Sequence, residues 1–186
     1  MNASEVLRRI TTALDQADIA YMLTGSFASA HHGALRSTQD IDLVVEATAA
    51  QLRTFTANLP DGEYYVDSDA ALKALKRESM FNVIDLESGW KIDLIIRKSR
   101  AFSHEEFGRR QKITLQGVSL WVASAEDVVI AKLEWAKLAQ SQRQIEDVAS
   151  LLKLRWKSLD HRYLEKWTRA LDIEKQWHEA RTAARL

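Results

Sequence analysis

The sequence contains no cysteine and a single proline, Pro60. Without thiols, a disulfide framework and a thiolate zinc site are both excluded. No stretch of glycine, serine or proline is long enough to act as a linker, so the 186 residues read as one domain or as a core with an extension. Neither sign of charge is in excess, since 26 basic residues balance 26 acidic ones. A protein that grips nucleic acid by broad phosphate neutralisation carries a basic surplus, so any such contact here requires a local patch. No apolar run approaches the roughly 20 residues of a membrane-spanning helix. Met1 to Leu14 mix charged and apolar residues at helical spacing and lack the core of a signal peptide. These absences predict a cytoplasmic protein with no membrane partner.

What is present is a globular composition, with 46% hydrophobic residues. Val6, Leu7, Ile10 and Leu14 form one stripe of a helix over Ser4 to Ala17. Ile19 to Leu23 reads as a strand, Phe27 to His32 as a short helix, Asp40 to Glu46 as a strand and Ala49 to Leu59 as a helix. A brief strand at Tyr64 to Val66 precedes a helix from Ser68 to Arg77. Two hairpins follow, one pairing Phe81 to Leu86 with Trp90 to Ile96, the other Lys112 to Leu115 with Ser119 to Val122. From Ser124 onward the pattern is helical, opening on a cap-like Ser124 with Asp127 three residues on. Trp135, Trp156, Trp167 and Trp177 fall in this part and are expected to pack its helices together. The division expected is an α/β core over residues 1–123 and a C-terminal helical segment over 124–186.

The chemistry is concentrated in carboxylates on strands. In Asp40-Ile41-Asp42-Leu43-Val44-Val45, alternation puts Asp40 and Asp42 on one face and the aliphatic residues on the other. Adjacent carboxylates repel unless a positive charge sits between them, and hard oxygen ligands suit Mg²⁺. Lys91-Ile92-Asp93-Leu94-Ile95-Ile96 repeats the geometry, with Asp93 opposite Ile92, Leu94 and Ile96. If the two strands are neighbours, three carboxylates converge. Thr24-Gly25-Ser26 ends a strand and opens a helix, a turn in which glycine permits close approach and free helix N–H groups suit a phosphate.

Gly25-Ser26, the short helix, Arg36-x-Thr38-x-Asp40-x-Asp42 and the later Asp93 strand together resemble the DNA polymerase β-type nucleotidyltransferase superfamily. The resemblance extends to the small AbiEii-like nucleotidyltransferases of type IV toxin–antitoxin systems. It implies a mixed sheet flanked by helices. It also implies that Asp40 and Asp42 bind two Mg²⁺ ions (or Mn²⁺), that Asp93 binds the catalytic one, and that Gly25 and Ser26 hold the triphosphate of an NTP. Arg36 and Lys132 become candidate nucleotide contacts. Ser124-Ala125-Glu126-Asp127 with Lys132, and Arg143-Gln144-x-x-Asp147, resemble the helical half of those proteins, with Arg143 and Gln144 in place of the Lys-Asp that opens the last motif in related toxins. His31 and His32 lie near the proposed site without a third ligand at metal spacing.

The resulting expectation is a nucleotidyltransferase that moves an NMP from an NTP to a hydroxyl acceptor. An RNA or tRNA 3′ end is the candidate acceptor and an antitoxin protein a candidate partner. Arg97, Lys98, Arg100, Arg109, Arg110 and Lys112, which follow the Asp93 strand, would guide the RNA. The competing expectation is a nucleotide-binding or regulatory module that keeps the fold without turnover.

Overall fold

A computed structural model of the chain describes residues 3–34 and 38–186. Its centre is a seven-stranded mixed sheet. In chain order the strands are β1 (Ala20–Leu23), β2 (Asp40–Glu46), β3 (Tyr64–Val66), β4 (Met80–Asp85), β5 (Lys91–Ile96), β6 (Gln111–Leu115) and β7 (Val118–Val122). Across the sheet they run β3-β4-β5-β2-β1-β7-β6. The β2–β5 and β1–β7 pairs are parallel and the others antiparallel. Alternation along β2 and β5 buries Ile41, Leu43, Val45, Ile92, Leu94 and Ile96 in the core. The opposite set of positions carries Asp40, Asp42, Lys91 and Asp93.

The helices before β6 are α1 (Ala3–Gln16), α2 (Gly25–His31), α3 (Ala49–Asn58), α4 (Ser68–Arg77) and α5 (Ala101–Gly108). The expected stripe of α1 is buried, joined by Thr11. Thr48 and Gln51 close a reciprocal capping box at the start of α3. Asp67, rather than Ser68, caps α4, accepting from the backbone N–H groups of Asp69 and Ala70 at 2.8 and 3.0 Å. Helix α5 was not expected from the sequence. It is only two turns long, and its buried residues, Phe102, Ser103, Glu106 and Phe107, mix polar with apolar side chains. The Gln116-Gly117 turn between β6 and β7 has positive φ at both residues, the conformation that tight hairpins favour.

After β7 come α6 (Ala125–Ala139), α7 (Gln142–Arg155), a 3₁₀ turn (Trp156–Ser158), α8 (His161–Ala170) and α9 (Glu174–Ala184). Ser124 caps α6, its hydroxyl accepting from the Asp127 N–H at 3.2 Å. Helix α6 packs against α2, α7, α8 and α9, which brings the helical end of the chain to the turn after β1. Trp167 and Trp177 pack between helices as expected, and Trp156 stacks on Trp177 with 6.2 Å between ring centroids. Trp135 departs from that expectation, standing 45% exposed on α6. No described helix is long and apolar enough to cross a membrane.

Candidate active site

The parallel register of β2 and β5 places Asp40 opposite Lys91 and Asp42 opposite Asp93. Because side chains alternate, all four point to the same face. Asp42 and Asp93 are thus neighbours across two strands, as the D-x-D and Asp93 patterns require. Asp93 is buried at 6% exposure, while Asp40 lies at the exposed mouth. Strand β4 adds Asn82, the register partner of Asp93 on the other side, whose amide donates to Asp93 Oδ1. Lys91 Nζ lies 3.0 Å from Asp93 Oδ2 and 3.7 Å from Asp40 Oδ1.

The turn after β1 closes the site from the other side. The Thr24 N–H donates to the Asp42 carbonyl at 2.9 Å, which docks this turn on β2. Gly25 has φ of +62°, and a Cβ built there would lie 2.0 Å from Asp42 Oδ2. Both the backbone conformation and the space therefore require glycine. Ser26, buried, follows as an early residue of α2. The sequence placed Gly25 and Ser26 near the acids, and the coordinates bring Gly25 into direct apposition with Asp42.

Burial raises the Asp42 carboxyl to about 6, helped by repulsion from Asp93 and Asp40 and opposed by the charges of Lys132 and Lys91. A further positive charge beside Asp42 would favour its ionised form. Among the described residues, no group of three or more His, Asp or Glu side chains is gathered closely enough to hold a metal ion. The three acids share a face, and the Lys91 ammonium lies between Asp40 and Asp93.

Lys132, on α6, is buried. Its Nζ lies 2.8 Å from Asp147 Oδ2 and 3.2 Å from Gln144 Oε1. Its charge still acts on Asp42, so the α6–α7 pair forms part of the electrostatic surroundings of the acids. Gln144 and Asp147, from the Arg143-Gln144-x-x-Asp147 stretch, are its anchors. Arg36 lies outside the described residues. His32 is structural, with Nε2 2.8 Å from the Ala123 carbonyl, and burial lowers its pKa.

Of the basic residues expected to guide an acceptor, three are paired with carboxylates outside the Asp40–Asp42–Asp93 cluster. Arg97 pairs with Glu46 at 2.6 Å, at the end of β2 remote from Asp40. Arg100 makes two 2.6 Å hydrogen bonds to Glu134. Arg109 meets Asp127 and Glu126 at 3.4 and 3.5 Å and stacks over Tyr163. Arg110 lies over Phe107 and Trp121, and Lys112, on the edge strand β6, lies near Trp121. Lys98 acts on Glu78. Two site residues escaped sequence reasoning. Lys91 had a visible signal, being two positions before Asp93 and so on its face; Asn82 needed the β4–β5 register.

The fold has whole-chain counterparts among solved structures. The solution structure of the antibiotic-resistance factor ANT(2″)-Ia matches with a TM-score of 0.57 at 14% identity, covering 96% of this chain and 97% of that one. The crystal structure of ANT(2″)-Ia in complex with adenylyl-2″-tobramycin gives 0.58 at 14% identity, covering 93% and 97%. An antigenic nucleotidyltransferase-like protein from Paracoccidioides brasiliensis aligns at 0.46 and 16% identity, over 81% of this chain and 75% of that one. The two ANT(2″)-Ia likenesses are of fold. No curated protein matches the sequence. Residues 1–184, however, match the profile of the family described as "Nucleotidyltransferase of unknown function (DUF6036)", and the chain, with its mixed sheet and its paired strand carboxylates, belongs to that family.

Proposed function

We propose that the protein transfers an NMP from an NTP to a hydroxyl acceptor at the site formed by Gly25, Ser26, Asp40, Asp42 and Asp93. The observation that carries this reading is the fit of Gly25 against Asp42, beside the Asp42–Asp93 register pair. A phosphate-suited turn and a carboxylate pair thereby meet at one point. The chemistry of the donors suits a divalent ion, around which the three carboxylates would have to draw closer. The ligands are hard carboxylate oxygens, Gly25 leaves the space that a Cβ would fill, and burial, with repulsion from Asp93 and Asp40, raises Asp42 to about 6, so that a bound cation would favour its charged form. Asp40, Asp42 and Asp93 would hold Mg²⁺, which would neutralise phosphate charge and act as a Lewis acid toward the phosphoryl group.

In this reading the chain's own groups do the rest. The N–H groups of the Gly25-Ser26 turn and the Ser26 hydroxyl hold the triphosphate. Asp93, fixed by Asn82, orients the acceptor hydroxyl and takes its proton. The acceptor oxygen bonds to the α-phosphorus, the α–β phosphoanhydride bond breaks, and pyrophosphate leaves. Lys132 contributes its charge from behind Asp42, held by Asp147 and Gln144.

The acceptor favoured here is a small hydroxyl compound. ANT(2″)-Ia, whose complex carries an adenylylated tobramycin, shares the fold over nearly the whole chain. Of the basic side chains that would have guided an RNA end, Arg97, Arg100 and Arg109 are in ion pairs with other acids and Arg110 lies over Trp121. An RNA or tRNA 3′ end, and a toxin role with an antitoxin partner, rest on family resemblance. Supplying each α-labelled NTP with Mg²⁺, total RNA and a cell-derived small-molecule fraction separates these readings. Label in the small-molecule fraction is the expected result. Label on RNA would replace the acceptor, and nucleotide binding without pyrophosphate release would replace catalysis by a regulatory role.

A further inference from the structure

Lys91 is placed by the backbone, not by chance, between two acids. It is the register partner of Asp40 across β2 and β5 and stands two residues before Asp93 on the same face. Its ammonium, 3.0 Å from Asp93 Oδ2 and 3.7 Å from Asp40 Oδ1, occupies the space a cation shared by those carboxylates would take. An ammonium and a divalent ion competing for the same oxygens repel strongly at such separations, so the two exclude one another. The other lysine acting on this cluster is differently held. The Lys132 side chain is 4% exposed and anchored to Asp147 and Gln144, whereas that of Lys91 is 42% exposed. Lys91 therefore has an open route by which a flexible stem can carry the charge into solvent.

We propose that Lys91 is the internal counter-cation of the acidic site: it holds the carboxylates together before metal arrives, is displaced as a divalent ion enters, and so sets the metal concentration at which the site loads. This inference rests on the reading of Asp40, Asp42 and Asp93 as metal ligands. Its consequence is a site whose acids are partly neutralised without metal and which loads a divalent ion only at a higher concentration than the acids alone would need.

The test is titration of the full chain with Mn²⁺ alone, without nucleotide, followed by calorimetry and by melting temperature. Wild type is compared with Lys91→Met, Lys91→Gln, Lys91→Arg and Asp42→Asn. Both neutral variants should bind Mn²⁺ at least tenfold more tightly than wild type, and should melt lower in EDTA but gain more on Mn²⁺ addition. Lys91→Arg, which keeps the charge, should bind no more tightly than wild type. Equal or weaker binding by whichever neutral variant folds overturns the proposal, as does tighter binding by Lys91→Arg. If wild type binds Mn²⁺ and Asp42→Asn does not, the metal reading stands whatever Lys91 does. If neither wild type nor the neutral variants bind Mn²⁺, both readings fall.

Discussion

Replacing Asp42 with Asn should stabilise the metal-free protein at neutral pH while removing its ability to load Mg²⁺–NTP. The folded-state pKa of Asp42 is raised from 3.8 to about 6, first by burial and then by Asp93 and Asp40. A raised carboxylate pKa means that the folded state binds the proton more tightly than the unfolded state. The sign follows: folding carries no penalty from Asp42 below pH 4, and the penalty grows as pH rises from 4 to 6 and is complete above that. Two units at about 1.4 kcal/mol each set the penalty at roughly 3 kcal/mol near pH 7.5. For a chain of this length, each kcal/mol moves the melting temperature by about 2 to 4 °C, so the variant should melt up to about 10 °C higher. The assay is urea denaturation in EDTA at pH 7.5 and at pH 4, repeated with Mg²⁺ and a nonhydrolysable NTP. Asp42→Asn should be the more stable protein only at pH 7.5 in EDTA, and only wild type should gain from Mg²⁺–NTP. A variant less stable than wild type at pH 7.5 would refute the claim that Asp42 is a strained, under-compensated carboxylate.

Gly25→Ala should cost about 1 to 3 kcal/mol of stability and abolish nucleotide binding in a thermal-shift assay, because φ is +62° and the new Cβ would meet Asp42. Lys132→Ala should destabilise by about 3 kcal/mol in urea titration, since it withdraws a buried ion-pair partner from Asp147 and positive charge from Asp42. Burial, aided by Asp127, raises Glu106 on α5 to about 8. Its penalty on folding is absent below pH 4.5 and complete above pH 8, so Glu106→Gln should stabilise by roughly 3 to 5 kcal/mol at pH 8.5 and leave stability at pH 4 unchanged.

The parts of this protein that could be read from its sequence are those governed by local periodicity. The β2 and β5 alternation separated Ile41, Leu43, Ile92 and Leu94 from Asp40, Asp42 and Asp93, and the fold keeps that separation. The Gly25 turn was legible because a strand, a glycine and a helix met within a few residues. What sequence could not supply was register and ion pairing. Asn82 reaches Asp93 only through the β4–β5 pairing, and Lys132 finds Asp147 and Gln144 only through the packing of α6 on α7. The basic residues after β5 looked like one electrostatic track because they are close in sequence. In three dimensions Arg97, Arg100 and Arg109 pair with Glu46, Glu134 and Asp127, and Arg110 lies over the Trp121 ring, contacts that closeness in sequence does not show. Helix α5 itself was missed because its buried face includes Ser103 and Glu106, so no apolar stripe announces it.

The central claim is that the acids on β2 and β5 and the turn at Gly25 form one nucleotide site. Equilibrium binding of a nonhydrolysable NTP, measured with and without Mg²⁺ on wild type, Asp42→Asn and Asp93→Asn, tests it most directly. The account predicts Mg²⁺-dependent binding by wild type and its loss, without loss of fold, in both variants. Binding by either variant equal to that of wild type would contradict it.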